Sequence, residues 1–111
     1  MEISNQKQDN VAIVAAKGRL DAAGAPEIET HCKKLIQDGS ARLLIDMGAV
    51  EYVSSAGLRS LLVLAKAVKA AGGALALCCL TPAVKEVMCI SGFDNILQLA
   101  ADRTAGLDLV K

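Results

Sequence analysis

Aromatic side chains are nearly absent from this chain. It has no tryptophan, and Tyr52 and Phe93 are its only tyrosine and phenylalanine. Any core must therefore be packed from Leu, Ile, Val and Ala, and capture of nucleic acid by base stacking has almost nothing to work with. An excess of one charge is missing as well: 12 Lys and Arg balance 12 Asp and Glu, and no basic block stands out. Electrostatic capture of DNA, RNA or an anionic membrane needs such an excess, so none of these partners is expected. No long apolar run is present either. The longest uncharged stretch, Ala70 to Val84, holds Gly72-Gly73 and Pro82 and is shorter than the ~18–20 apolar residues that span a bilayer. Residues Asn5 to Asn10 are polar, and no apolar segment of the signal-peptide kind precedes them. A soluble, cytoplasmic protein without membrane insertion is expected.

The usual marks of catalysis and metal binding are also missing. The cysteines are Cys32, Cys78, Cys79 and Cys89, and none forms a C-x-x-C pair. Cys78 and Cys79 are adjacent on a predicted strand, which would point their side chains to opposite faces. His31 is the only histidine and lies beside Cys32 on a predicted helix, but no zinc-ligand spacing accompanies it. The cysteines are expected to be reduced, small core hydrophobes, as in a reducing cytosol. Neither G-x-x-x-x-G-K nor G-x-G-x-x-G occurs, so no phosphate-cradling loop is predicted. With one histidine remote in sequence from the serines, no nucleophile–base pair is predicted. The expectation is a protein with no catalytic residues, no metal and no cofactor.

What is present is an alternation of strands and helices. Residues 2–7 and 11–16 read as a hairpin around Asp9-Asn10, and Gly18 to Gly24 as a loop. Pro26 suits the first turn of a helix. That helix buries Ile28, Cys32, Leu35 and Ile36, carries Glu27 and Glu29 near its start and Lys33 and Lys34 near its end, and stops at Gly39. Residues 42–46 form a strand. A second helix runs from about Ser55 to Ala71, with Leu58, Leu61, Leu62, Ala65 and Val68 on one face, and ends at Gly72-Gly73. Ala74 to Leu80 is apolar throughout, like a central parallel strand. Thr81-Pro82 opens a helix to about Ser91. Ile96 to Leu99 is a short strand, and Asp102 to Val110 a weak helix. At 111 residues the chain can bury roughly two-thirds of its unfolded surface. The expected architecture is one α/β domain over residues 1–111: a small mixed sheet, mostly parallel in its core, packed with about four helices and joined by right-handed crossovers.

The segment Glu51-Tyr52-Val53-Ser54-Ser55-Ala56-Gly57-Leu58 joins the end of a strand to the start of a helix. Sites in open parallel sheets form outside strand ends. The free N–H groups of a helix start favour negative charge. A phosphate on a serine there is tolerated by the fold. Serine is equally a preferred N-cap, although two consecutive serines exceed what one cap needs. Gly57 lets another backbone pass close. Arg59 opens an exposed stripe with Lys66 and Lys69, and it lies near enough to the serines to touch a partner or a phosphate. Asp21 and Asp46 read equally well as site acids or as turn acids.

The same segment resembles the STAS family, and within it the stand-alone anti-sigma-factor antagonists. These carry an aromatic residue, an aliphatic residue, Asp or Ser, the phosphorylated Ser, a small residue, Gly and Leu; here those positions read Tyr52, Val53, Ser54, Ser55, Ala56, Gly57 and Leu58. Gly18-Arg19-Leu20-Asp21, Leu44-Ile45-Asp46-Met47 with Val50, Thr81-Pro82-Ala83-Val84 and Ser91-Gly92-Phe93 continue the likeness in the expected order. Where many antagonists carry Asp before the acceptor, this chain has Ser54. The resemblance implies a STAS-like fold and a binding module, with Ser55 as phosphoacceptor. Asp21, Ser54, Ser55, Ala56, Gly57, Leu58 and Arg59 would form the partner-binding surface. It further implies an anti-sigma factor serine/threonine kinase as partner, which releases the sigma factor when bound and which phosphorylates Ser55, and a PP2C-type phosphatase that resets the switch. ATP would belong to the kinase. A competing class is a STAS module in another assembly, such as a lipid-transport ATPase subunit or a sensory scaffold, not switched by phosphate. A third is a small-ligand sensor using the strand-end crevice. No apolar edge or heptad pattern calls for self-association, so a monomer is expected.

Overall fold

A computed structural model describes all of Met1–Lys111. The elements follow in the order β1 (Glu2–Gln8), β2 (Val11–Leu20), α1 (Gly24–Gln37), β3 (Arg42–Val53), α2 (Ser55–Ala70), β4 (Ala74–Cys78), α3 (Pro82–Ser91), a 3₁₀ turn (Phe93–Asn95), β5 (Gln98–Ala100) and α4 (Arg103–Val110). The five strands stand in the order β1-β2-β3-β4-β5. β1 is antiparallel to β2, and every other neighbour is parallel. The hairpin turns on Asp9 and Asn10, at φ 51° and 68°. Two left-handed central residues match the twist of the flanking strands.

Alternation along the strands feeds two cores. Ala12, Val14, Ala16, Leu43, Ile45, Met47, Leu75 and Leu77 face α1, α2 and α3, meeting Ile28, Cys32, Leu58, Leu61, Leu64, Val68, Val84 and Met88. Val11, Ile13, Leu44, Ala76 and Cys78 face the other way, against Leu107 and Val110 of α4. Both faces of the central strands are thus covered, which explains their unbroken apolar runs. Arg42 Nη1 donates to the Val110 carbonyl at 2.9 Å and fastens the end of α4. No helix is long and apolar enough to cross a membrane.

Several boundaries differ from expectation. β3 does not stop at residue 46 but runs to Val53, and β2 runs through the predicted loop to Leu20. Two register shifts, between Ala15 and Lys17 and between Gly18 and Arg19, each place one extra residue in β3. These bulges, with the polar Asp46 and Gly48, break the apolar pattern without breaking the strand. α1 begins at Gly24, ahead of Pro26, because the Asp21 carboxylate accepts from the N–H groups of Ala23 and Gly24, each at 3.1 Å. β4 ends at Cys78, since Cys79 turns to φ 61°. The last strand is Gln98–Ala100, set back by the 3₁₀ turn. On α2, Leu64 and Ser60 are buried, while Leu62 and Ala65 are half-buried. All four cysteines are free thiols.

Gly57 positions the start of α2. A Cβ there would collide with the Leu20 carbonyl oxygen and would lie 2.9 Å from Leu20 Cγ and 3.1 Å from a Val53 methyl. The first obstacle is backbone and cannot swing aside. Gly57→Ala is therefore expected to destabilise the fold by about 1–3 kcal/mol, the range of core overpacking, although alanine is the better helix former. Urea unfolding measures this; a gain in stability would show that the helix start is not clamped to Leu20.

Candidate functional site at the start of α2

The site is built where β3 hands over to α2. The extended β3 carries Tyr52 and Val53 alongside Arg19 and Leu20 of β2. Ser54 follows with φ −90° and ψ 177°, still extended, and is the N-cap: its Oγ accepts from the Gly57 N–H at 3.2 Å. The Leu20 carbonyl accepts from the Ser54 N–H at 3.0 Å and from the Ser54 hydroxyl at 3.5 Å. The first helical bond runs from Leu58 N–H to the Ser54 carbonyl at 2.9 Å.

Ser55 occupies the first helical position and is exposed. Capping is done by its neighbour, which leaves Ser55 free of that role. The first turn of α2 holds no acidic residue, so its positive end meets no carboxylate of its own. Arg59 is exposed and stands at i+4 from Ser55, on the same side of the helix. Ala56 is half-buried. Gly57 and Leu58 are buried: they hold α2 against β2 and β3 and present little surface.

Asp21 reaches the same neighbourhood through the Leu20–Ser54 bonds. Its carboxylate caps the start of α1 as described and lies 3.5 Å from Arg19 Nε. The Gly24 N–H, helped by the Ala23 N–H and the Arg19 guanidinium and opposed by partial desolvation, holds the Asp21 carboxyl below the usual carboxylate range. Asp21 is thus ionised across the neutral range, and it keeps the turn between β2 and α1 closed. Arg19 also lies over the ring of Tyr52, 4.5 Å from its centroid, within the reach of a cation–π contact. Tyr52 remains 42% exposed, a large apolar surface beside the serines. The sequence presents Arg19 and Tyr52 only as positions of the family resemblance, not as site residues; their pairing becomes visible only once β3 is known to extend past residue 46.

Behind this surface, buried Ser60 donates from Oγ to Glu29 Oε2 at 2.9 Å and approaches the Ala25 carbonyl at 3.3 Å, tying α2 to α1. His31 shares a 2.8 Å hydrogen bond with Asn5 of β1 rather than with either serine.

The division of labour between the serines has a measurable consequence. Ser54→Ala removes the acceptor for the Gly57 N–H and is expected to cost ~1 kcal/mol, as N-cap loss does. Ser55→Ala removes no such bond and is expected to stay within about 0.5 kcal/mol of the unsubstituted protein. Thermal or denaturant unfolding of both variants decides the assignment; a larger loss at Ser55 would reverse it.

The family model described as STAS domain matches residues 2–105. BtrV of Bordetella bronchiseptica, provisionally named an anti-sigma factor antagonist, is 37% identical over 105 residues, covering 95% of this chain and 90% of BtrV. Among solved structures, an anti-sigma factor antagonist from Mycobacterium paratuberculosis superposes with a TM-score of 0.88 at 24% identity, covering 98% of this chain and 92% of that one. The phosphorylated form of SpoIIAA, a Bacillus cell fate determinant, does so with a TM-score of 0.71 at 17% identity, covering 96% and 97%. At those identities the structural likeness is one of fold. With the family model spanning most of its length and a relative of matching size, this chain belongs to the STAS domain family.

Proposed function

We propose that this chain is an anti-sigma factor antagonist whose partner binding is switched by phosphorylation of Ser55. The observation that carries the reading is the position of Ser55: exposed at the first residue of α2, with the cap already supplied by Ser54 and no acid in the first turn. The 37% identity to BtrV points to the same class of protein. In this reading the chain is a binding module, not an enzyme. It works in the cytoplasm as a monomer, and its partner is an anti-sigma factor serine/threonine kinase that supplies the ATP. A PP2C-type phosphatase returns the modified form to the binding-competent one.

The partner surface consists of the exposed and half-exposed groups around the serine: Arg19, Asp21, Tyr52, Ser54, Ala56 and Arg59. Tyr52 supplies apolar area, and Arg19, Asp21 and Arg59 supply charges of both signs. A phosphate on Ser55 adds about −1.5 to −2 charges at the centre of this surface. The helix start and Arg59 accommodate that charge within the chain, so the fold is kept. A partner docked over it meets a charge that must be desolvated, which weakens the complex.

Calorimetric titration of the cognate kinase distinguishes a switch from a scaffold. Ser55→Ala is expected to bind as the unmodified protein does. Ser55→Asp is expected to bind at least about tenfold more weakly, a cost of ~1.4 kcal/mol. The phosphorylated protein is expected to be weaker still, because phosphate carries nearly twice the charge of aspartate. Ser55→Asp should melt no lower than the unmodified protein, since an acid suits a helix start. Equal affinity of all four forms would refute the switch and favour a STAS scaffold of another assembly.

A further inference from the structure

Asp46, Cys78 and Cys79 play no part in the reading above. Asp46 and Cys78 are register partners on the parallel strands β3 and β4, so their side chains share one face of the sheet, the face covered by α4. β4 ends at Cys78, while β3 continues along β2 alone. Open α/β sheets hold ligands in crevices at such carboxyl ends of strands. The sequence suggests that Cys79 would point to the opposite face, but a left-handed φ of 61° turns the chain. Its Sγ, the Cys78 Sγ and a carboxylate oxygen of Asp46 all lie within 4.8 Å of one another. A non-glycine residue is strained in that conformation and is held there by its surroundings.

The carboxylate is oriented from behind. The Gly48 N–H donates to Asp46 Oδ1 at 2.8 Å, and Arg103 Nε donates to Oδ2 at 2.8 Å. Outer hydrogen bonds of this kind set the direction of a ligating group. A Cβ at residue 48 would lie 3.1 Å from Asp46 Oδ1 and 3.5 Å from Cys79 Cβ, so glycine keeps the space between the donors open. Cys78 is buried, whereas Asp46 and Cys79 are half-buried and so in part exposed to solvent.

We propose that Asp46, Cys78 and Cys79 form a site for one thiophilic divalent cation of the Zn²⁺ or Cd²⁺ class. Two thiolates and a carboxylate suit such a metal and do not suit Mg²⁺ or Ca²⁺. Binding forms two metal–sulfur bonds and one metal–oxygen bond, releases the two thiol protons to solvent and transfers no electrons. The charges then cancel, the cation and the Arg103 guanidinium offsetting two thiolates and one carboxylate. The sequence offered no such site, because its spacing rules look for C-x-x-C pairs, and an extended backbone separates adjacent thiols.

Titration of the reduced full-length chain with Cd²⁺ alone, followed by the thiolate-to-cadmium charge-transfer band, tests the site; Zn²⁺ is then measured against a chromophoric chelator. One equivalent per chain is expected. Cys79→Ser and Asp46→Asn, both at half-buried positions and both checked for folding by circular dichroism, are expected to weaken binding at least about tenfold. Cys89→Ser, at the exposed cysteine on α3, is expected to leave it unchanged. Absence of the band overturns the proposal, as does an affinity equal to that of the unsubstituted protein in either Cys79→Ser or Asp46→Asn.

Discussion

The carbonyl oxygen of Leu20 is the point from which the serine site is hung. It accepts from both the N–H and the hydroxyl of Ser54, and it sits where any side chain at residue 57 would have to be. These contacts join the last residue of β2 to the first turn of α2 and bring the Arg19–Asp21 turn beside the serines. The clamp also decides which serine is which. Ser54 is drawn inward as cap, and Ser55 is left at the surface at the head of a helix whose buried face, from Leu58 to Val68, is locked into the core. In the proposed switch, a charge on Ser55 would therefore act on a docked partner and not on what holds the chain together.

Position along β3 separates two chemistries. At Val53 the strand delivers the serines to the α1–α2 side. Seven residues earlier, at Asp46, it carries a carboxylate on the α4 side, next to the end of β4. The bulges between these points let β3 continue along β2 after β4 has stopped. Arg103, at the start of α4, spans the second region through its bond to Asp46, which raises the guanidinium pKa further above its ordinary value.

What the residues disclosed in advance was mostly local chemistry. Asp9-Asn10 at the hairpin, Gly39 and Gly72 at helix ends with positive φ, Pro82 in the first turn of α3 and the apolar stripe of α2 each carry their own signal, and Gly57 announced a close approach. The expected mixed sheet and four helices correspond to the observed topology. The extension of β3 to Val53 was hidden, because bulged strands lose the period of two that marks a half-buried strand. With it were hidden the Arg19–Tyr52 contact and the Leu20 clamp, both long-range. The gathering of Cys78 and Cys79 on one side was hidden for another reason: it depends on a left-handed backbone at a cysteine, which no propensity favours. Of the surface suggested by family resemblance, Ser55 and Arg59 lie exposed, whereas Gly57 and Leu58 are interior and act by placing the others.

The central claim is that Ser55 and not Ser54 takes the phosphate. Ser54 Oγ is held in the cap and against the Leu20 carbonyl, whereas Ser55 stands clear at the surface. Phosphopeptide mapping by mass spectrometry, after incubation of the intact chain with its cognate kinase and ATP, tests this most directly. Phosphate confined to Ser55 is the predicted result, and phosphate mainly on Ser54 would contradict it.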